Sequence, residues 1–269
     1  MEAGKFTEAE KEYEEIVRAD IASLGEQNPK TLTDRVTLAV AKSKVGDTLA
    51  AEDELRALLA LYTRRRGPEH EETISCRIAL ALLLDDLGRT REALTEFRQI
   101  LEIRERVLGP DDVEVARVRH MLGDALVSSH QLDESLPLYR RAQAVLVREL
   151  GPENRETLLN RSNLACALGE KGDFDTAETE LKDILSTRER LLGSDDVSVY
   201  MTCFYLGRIL AGHGHLDDAY TYATRALTGL QTKLAPSHPL IIRAGNLCAE
   251  LKADIARHAR KEDPHANPQ

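Results

Sequence analysis

A glycine returns every 42 residues along this chain, as Gly25, Gly67, Gly109, Gly151 and Gly193, with Ala235 at the sixth place. Proline follows three of the glycines, as Pro68, Pro110 and Pro152, while Ser194 stands there once and Pro236 follows Ala235. Glycine can take the left-handed conformation past a helix C-terminus, and a proline just beyond cannot continue the helix, so each pair marks a helix end. A chain with so fixed a period stacks copies of one supersecondary unit, and its 269 residues count repeats rather than domains.

A second landmark falls inside the units. Gly46, Gly88, Gly172 and Gly214 recur at multiples of the same interval and separate a shorter helix A from a longer helix B. Five complete units follow, at 25–66, 67–108, 109–150, 151–192 and 193–234. Gly4 places residues 1–24 in register with a helix B alone, a half repeat whose Phe6, Ala9, Tyr13, Ile16, Val17 and Leu24 line one helical face. Residues 235–261 read as a capping helix beginning near His238, and residues 262–269, with two prolines, as a disordered tail.

In the fourth unit Leu158, Leu164, Ala165 and Leu168 form the packing stripe of helix A. Ala177, Leu181, Ile184, Leu185 and Leu191 form that of helix B. Ala51, Ala93, Ser135, Ala177 and Ala219 occupy one position 42 residues apart, where small side chains let two backbones approach, and Leu38, Leu80, Leu122, Leu164 and Leu206 occupy another. Pro137 lies inside a helix B; counted from Asp133 as N-cap it falls at the end of the first turn, where it costs least. The chain is expected to be all-α, with about 12 helices counted from this periodicity.

Composition agrees and narrows the function. Aromatic residues make up 4% and there is no Trp, as suits helices packed through Ala and Leu. A net charge of −10 disfavours nucleic acid, whose phosphates are bound mainly by Lys and Arg. Cys76, Cys166, Cys203 and Cys248 have no CxxC spacing and read as reduced, packed thiols in a cytoplasmic protein. No apolar run is long enough to span a membrane.

The run of Leu164-Ala165, Gly172, Ala177 and a bulky residue at 181 resembles the tetratricopeptide repeat, whose usual period is about 34 residues. The longer period, with Leu108-Gly109-Pro110-Asp111-Asp112, Arg188-Glu189-Arg190-Leu191-Leu192-Gly193, Arg161-Ser162-Asn163-Leu164-Ala165 and Pro137-Leu138-Tyr139-Arg140-Arg141-Ala142, is similar to the kinesin-light-chain type and its bacterial relatives. The resemblance implies a right-handed superhelical solenoid of antiparallel helix pairs. It also implies a concave groove, lined by the A helices, that binds a peptide segment of a partner protein. The family's paired Asn before Leu-Ala is matched here by Asn163 alone, with Asn246 in the last helix.

Helix A residues opposite the packing stripe are the groove candidates: Val36, Val40, Ile78, Leu82, Arg117, His120, Asp124, Ser162, Cys166, Phe204 and Arg208, with Arg243 and Asn246 from the last helix, to which the Asn match adds Asn163, and Tyr205 is the neighbour of Phe204. The same spacing is compatible with Val36, Ile78 and Leu82 packing against neighbouring helices, and with an intrahelical hydrogen bond between His120 and Asp124. Arg35, Arg77, Arg119 and Arg161 form a ladder that reads either as a track for an anionic ligand or as stems covering apolar surface with their heads on acidic side chains.

No nucleophile and base pair, phosphate loop or complete metal-ligand spacing occurs, so no catalytic residue, metal or cofactor is expected. His213-Gly214-His215 reads as a solvated turn lacking a third ligand in sequence. The expected function is a non-catalytic scaffold binding a protein or peptide, without nucleic acid or membrane. The alternatives are self-association through the unpaired opening helix, or a regulatory or sensor repeat region of a larger protein.

Overall fold

In the computed structural model the backbone is described for residues 2–262 and side chains for residues 7–258. The expected tail from 263 onward therefore lies outside the described residues. Twelve helices occur among them and no strand: α1 (Glu2–Leu24), α2 (Pro29–Val45), α3 (Thr48–Arg66), α4 (Glu71–Asp86), α5 (Thr90–Leu108), α6 (Val113–Ser128), α7 (Leu132–Leu150), α8 (Arg155–Glu170), α9 (Phe174–Leu192), α10 (Val197–His213), α11 (Leu216–Lys233) and α12 (Pro239–Glu262). The A helices α2, α4, α6, α8 and α10 have 16 or 17 residues, and the B helices α3, α5, α7, α9 and α11 have 18 or 19.

The joints are built from two sequence signals placed three residues apart. Gly67, Gly109 and Gly193 have φ between 82° and 88° with ψ between 158° and 166°. This is an extended backbone with positive φ rather than the left-handed helical geometry expected from the sequence, and it is open essentially to glycine alone. Three residues after a joint glycine, Asn28, Asp112, Asn154 and Asp196 each accept a hydrogen bond from the backbone N–H two residues on, which caps the next helix A. The second landmark does use the left-handed geometry, with Gly46 at φ 102°, ψ −2° and Gly214 at φ 89°, ψ 3°. At Leu234, before Ala235, the backbone is extended with φ −118°, so the last joint dispenses with positive φ.

The chain forms two compact units, Met1–Val145 and Leu146–Gln269. In the first, Leu55, Leu58, Leu80, Leu84, Phe97, Ile100 and Leu126 are fully buried, and in the second Leu181, Ile184, Leu206 and Leu230 are. Ala51, Ala93, Ser135, Ala177 and Ala219 are all 0% exposed, so the small-residue position is where helix backbones meet within each unit. Three details depart from the sequence reading. Leu191 is 44% exposed instead of packed. Leu38 is only half-buried, unlike its four equivalents. α7 begins at Leu132, so Asp133 lies in its first turn rather than at the N-cap, and Pro137 sits within the helix on its exposed side.

Candidate functional site

The arginine ladder resolves through a constant offset. Arg35 pairs with Glu54, Arg77 with Glu96 and Arg161 with Glu180, each partner 19 residues on, across one helix hairpin. For Arg119 that place holds Leu138, and the guanidinium donates instead to Glu105 and to the carbonyl of Pro110. Three of the four guanidiniums are thus spent within a hairpin on acidic side chains, and Arg119 is spent across the Gly109 joint on Glu105 and a carbonyl.

In the first unit, Val40 and Leu82 are 36% and 45% exposed, and Val36 and Ile78 are half-buried. Arg117 is paired with Glu114. His120 Nε2 stands 3.3 Å from Asp124 Oδ2, one turn along α6, and Tyr139 donates its hydroxyl to Asp124 Oδ1 at 2.5 Å. The intrahelical contact foreseen for His120 and Asp124 is present, and an aromatic hydroxyl from α7 completes it.

The candidates of the second unit divide. Ser162 is 1% exposed and donates to the carbonyl of Leu158, and Phe204 is 4% exposed, with the Arg243 guanidinium 5.2 Å above its ring; both lie deeper than a groove-facing position implies. Cys166 is half-buried, with its thiol pushed up to about 12 by desolvation. Arg208 approaches Glu170 at 3.3 Å. Arg243 and Asn246 are exposed. Cys76 and Cys203, buried in the same way, are raised to about 12 and about 11, which leaves no described thiol activated as a nucleophile.

Ser162, Asn163 and Tyr205 nevertheless meet at one place. They line a cleft of about 670 Å³ between α8, the end of α9 and the start of α10. Its rim is apolar: Leu159 and Leu191 are 44% exposed and Leu192 55%, with Met201 and Val197 beside them. Deeper lies Arg188, 7% exposed, which the sequence reading did not single out as a site residue. Its Nη1 donates to Thr202 Oγ1 at 2.7 Å and to the carbonyl of Ser198 at 3.3 Å, and burial lowers its pKa.

The equivalent residue two periods earlier shows what Arg188 lacks. Arg104, 6% exposed, holds Glu71 through two parallel hydrogen bonds of 2.7 Å. Thirty-three residues before Arg104 stands Glu71, whereas thirty-three before Arg188 stands Arg155, which also lines the cleft. Arg188 therefore has no carboxylate partner among the described residues. Of the acids nearby, Glu153 is engaged by Arg190, and Asp196 caps α10, accepting from the backbone N–H and the hydroxyl of Ser198. The sequence signal for this site was present in the register, as a glutamate replaced by arginine opposite a repeated arginine.

Comparisons with known proteins agree with this architecture. A family model described as tetratricopeptide repeat matches residues 36–106, 86–146 and 125–190. Among solved structures, kinesin-light-chain-type repeats of Podosopora anserina, described as nearly identical and TPR-like, superpose with a TM-score of 0.67 at 20% identity, covering 76% of this chain and 96% of that one. BtubC (BKLC) from P. vanneervenii gives 0.64 at 20% identity over 88% and 93%. A Rap protein complexed with competence and sporulation factor gives 0.64 at 14% identity over 95% and 72%. No curated protein sequence matches the chain.

Proposed function

This chain belongs to the tetratricopeptide repeat family, and on that premise we propose that it is a non-catalytic scaffold whose second unit binds a peptide segment carrying a carboxylate beside large apolar side chains. The family supports protein–protein interaction as the general role. One observation carries the finer reading: Arg188 is a buried cation without a carboxylate partner among the described residues, at the inner part of a cleft rimmed by exposed leucines. A guanidinium held in low dielectric gains most from a bidentate carboxylate, and the rim would cover the apolar flank of the same ligand. Asn163 and Tyr205 border the path, and Arg155 adds a second cation. The other A-helix candidates, Val36, Val40, Ile78, Leu82, Arg117, His120 and Asp124 in the first unit and Cys166, Phe204, Arg208, Arg243 and Asn246 in the second, remain proposed as secondary contacts.

The test is selection from a displayed random-peptide library on wild type and on Arg188→Met, which keeps the stem and removes the charge. Wild type should enrich peptides with an Asp, Glu or free C-terminus next to two or more large apolar residues. Arg188→Met should weaken them by about ten- to a hundredfold, the range of a charge-assisted hydrogen bond. Enrichment without acidic preference, or unchanged binding to the variant, sinks the reading.

A second reading, self-association through α1, is favoured by one feature: Ile16, Ile21 and Leu24 are 40%, 38% and 45% exposed on that helix. Light scattering across a concentration series distinguishes it, since a constant monomer mass removes it.

A further inference from the structure

The turn between α10 and α11 carries His213 and His215, and the fold brings Glu178, from the second turn of α9, against both. The third ligand missing from the local sequence comes from 35 residues upstream. His213 Nδ1 lies 3.4 Å and His215 Nδ1 4.0 Å from Glu178 Oε2, the imidazole rings are 4.5 Å apart between centroids, and one donor atom from each residue falls within 4.8 Å of the others. Around a tetrahedral ion with bonds of about 2.0–2.2 Å, neighbouring donors stand about 3.3–3.6 Å apart. One edge of the triangle is already at that length, and the others need shifts below about 1.5 Å, available to a half-exposed histidine on a turn.

The surroundings orient the donors. Lys182 takes the other carboxylate oxygen, Glu178 Oε1, at 2.7 Å and leaves Oε2 toward the histidines. Phe174 stacks on the His213 ring at 5.7 Å and 19°. Asp175 Oδ1 stands 3.6 Å from His213 Nε2, the nitrogen not facing Glu178, as a carboxylate behind a metal-binding imidazole does.

The first unit supplies an internal comparison. Three periods earlier, 126 residues back, Glu178, Lys182 and His215 correspond to Glu52, Arg56 and Arg89, and the place of His213 is Leu87. There Glu52 is held by both arginines, with Arg89 Nη1 2.7 Å from Oε2. In the second unit that arginine is an imidazole, and a further imidazole stands in place of leucine. A position that elsewhere closes an ion pair presents lone pairs here.

We propose that Glu178, His213 and His215 form a binding site for one borderline divalent transition-metal ion, of which Zn²⁺ is the type, with water completing the coordination. Two imidazoles and a carboxylate suit Zn²⁺, Co²⁺ or Ni²⁺ over Mg²⁺ or Ca²⁺, which prefer all-oxygen sets. The ion ties the start of α9 to the turn leading into α11, so it fastens two successive helix hairpins and stabilises the chain by linkage.

The experiment uses the full chain without a histidine tag. Co²⁺ is titrated as a visible probe, Zn²⁺ is added as competitor, and thermal unfolding is followed with and without Zn²⁺. Expected are one Co²⁺ per chain with d–d absorption stronger than that of aqueous Co²⁺, displacement by Zn²⁺, and an upward shift of the unfolding temperature. At least tenfold weaker binding is expected for His215→Gln and Glu178→Gln, with binding intact in His258→Gln. Circular dichroism of the metal-free variants shows whether each remains folded; His215, 52% exposed by its side chain, is the substitution least able to disturb packing. No gain of d–d intensity over aqueous Co²⁺, binding unaffected by His215→Gln, or intense thiolate charge-transfer bands would each overturn the assignment and leave the cluster as a variant of the Glu52 ion pair.

Discussion

His130 has φ 60° at the position where Gly46, Gly88, Gly172 and Gly214 stand in the other units, all with positive φ. Its side chain is exposed, so no packing requires a histidine there. A left-handed backbone costs a non-glycine residue about 1–2 kcal/mol, partly offset by the extra freedom glycine has when unfolded. His130→Gly is therefore expected to raise stability by about 0.5–1 kcal/mol, read as a higher denaturant midpoint at unchanged slope. An unchanged or lower midpoint would mean that His130 makes a compensating contact in solution. The landmark was legible in the sequence because four of the five full-unit positions are glycine. That the fifth keeps the geometry was not, because a histidine carries no sign of φ.

Within the hairpins, repeated positions do different work according to what faces them. Positions 104 and 188 are both arginine, but only the first meets a glutamate, and the difference is invisible until the partner 33 residues earlier is known. The helices themselves were readable from punctuation and from the 42-residue period, since Gly joints and Asn or Asp caps act locally. Whether an A-helix side chain faces outward was readable only in part. Val36 and Ile78 are half-buried while Ser162 and Phe204, at the corresponding places 126 residues on, are fully covered, because neighbouring helices cover one unit's face differently from another's. The Glu71–Arg104 pair also gives the hairpin a pH dependence. Hydrogen bonds from Arg104 hold the Glu71 carboxyl below its ordinary value, and for Glu52 burial pushes upward but bonds from Arg56 and Arg89 outweigh it. Groups with depressed folded values contribute stability above their unfolded pKa, about 4.3, and lose it as pH falls through the folded value. Chemical unfolding should thus show stability falling from pH 5 downward. Glu71→Gln should cost about 1 kcal/mol at pH 7, modest because that side chain is 64% exposed, and should fall less on acidification. Parallel pH profiles for wild type and Glu71→Gln would discard the pair as a cause.

At the scale of the molecule, two compact units and a stack of short-range hairpin contacts imply that damage stays local. Contacts in a repeat array join neighbours, so stability is a sum of unit and interface contributions rather than one global quantity. Leu181 on α9 is 0% exposed and belongs to the second unit. Leu181→Ala removes buried methyl groups and leaves a cavity, at a cost of about 2–5 kcal/mol. In a single cooperative domain that loss would lower hydrogen-exchange protection throughout. Here it should speed exchange chiefly in α8 to α11, with α2 to α5 of the first unit keeping wild-type rates, and the denaturant transition should broaden as two-state behaviour fails. The same variant discriminates between the functional readings. α8, α9 and α10 frame the Arg188 cleft, and α9 carries Glu178, so peptide selection and Co²⁺ binding should both weaken while light scattering through α1 is unaffected. Uniformly faster exchange across both units would show instead that the repeats unfold as one.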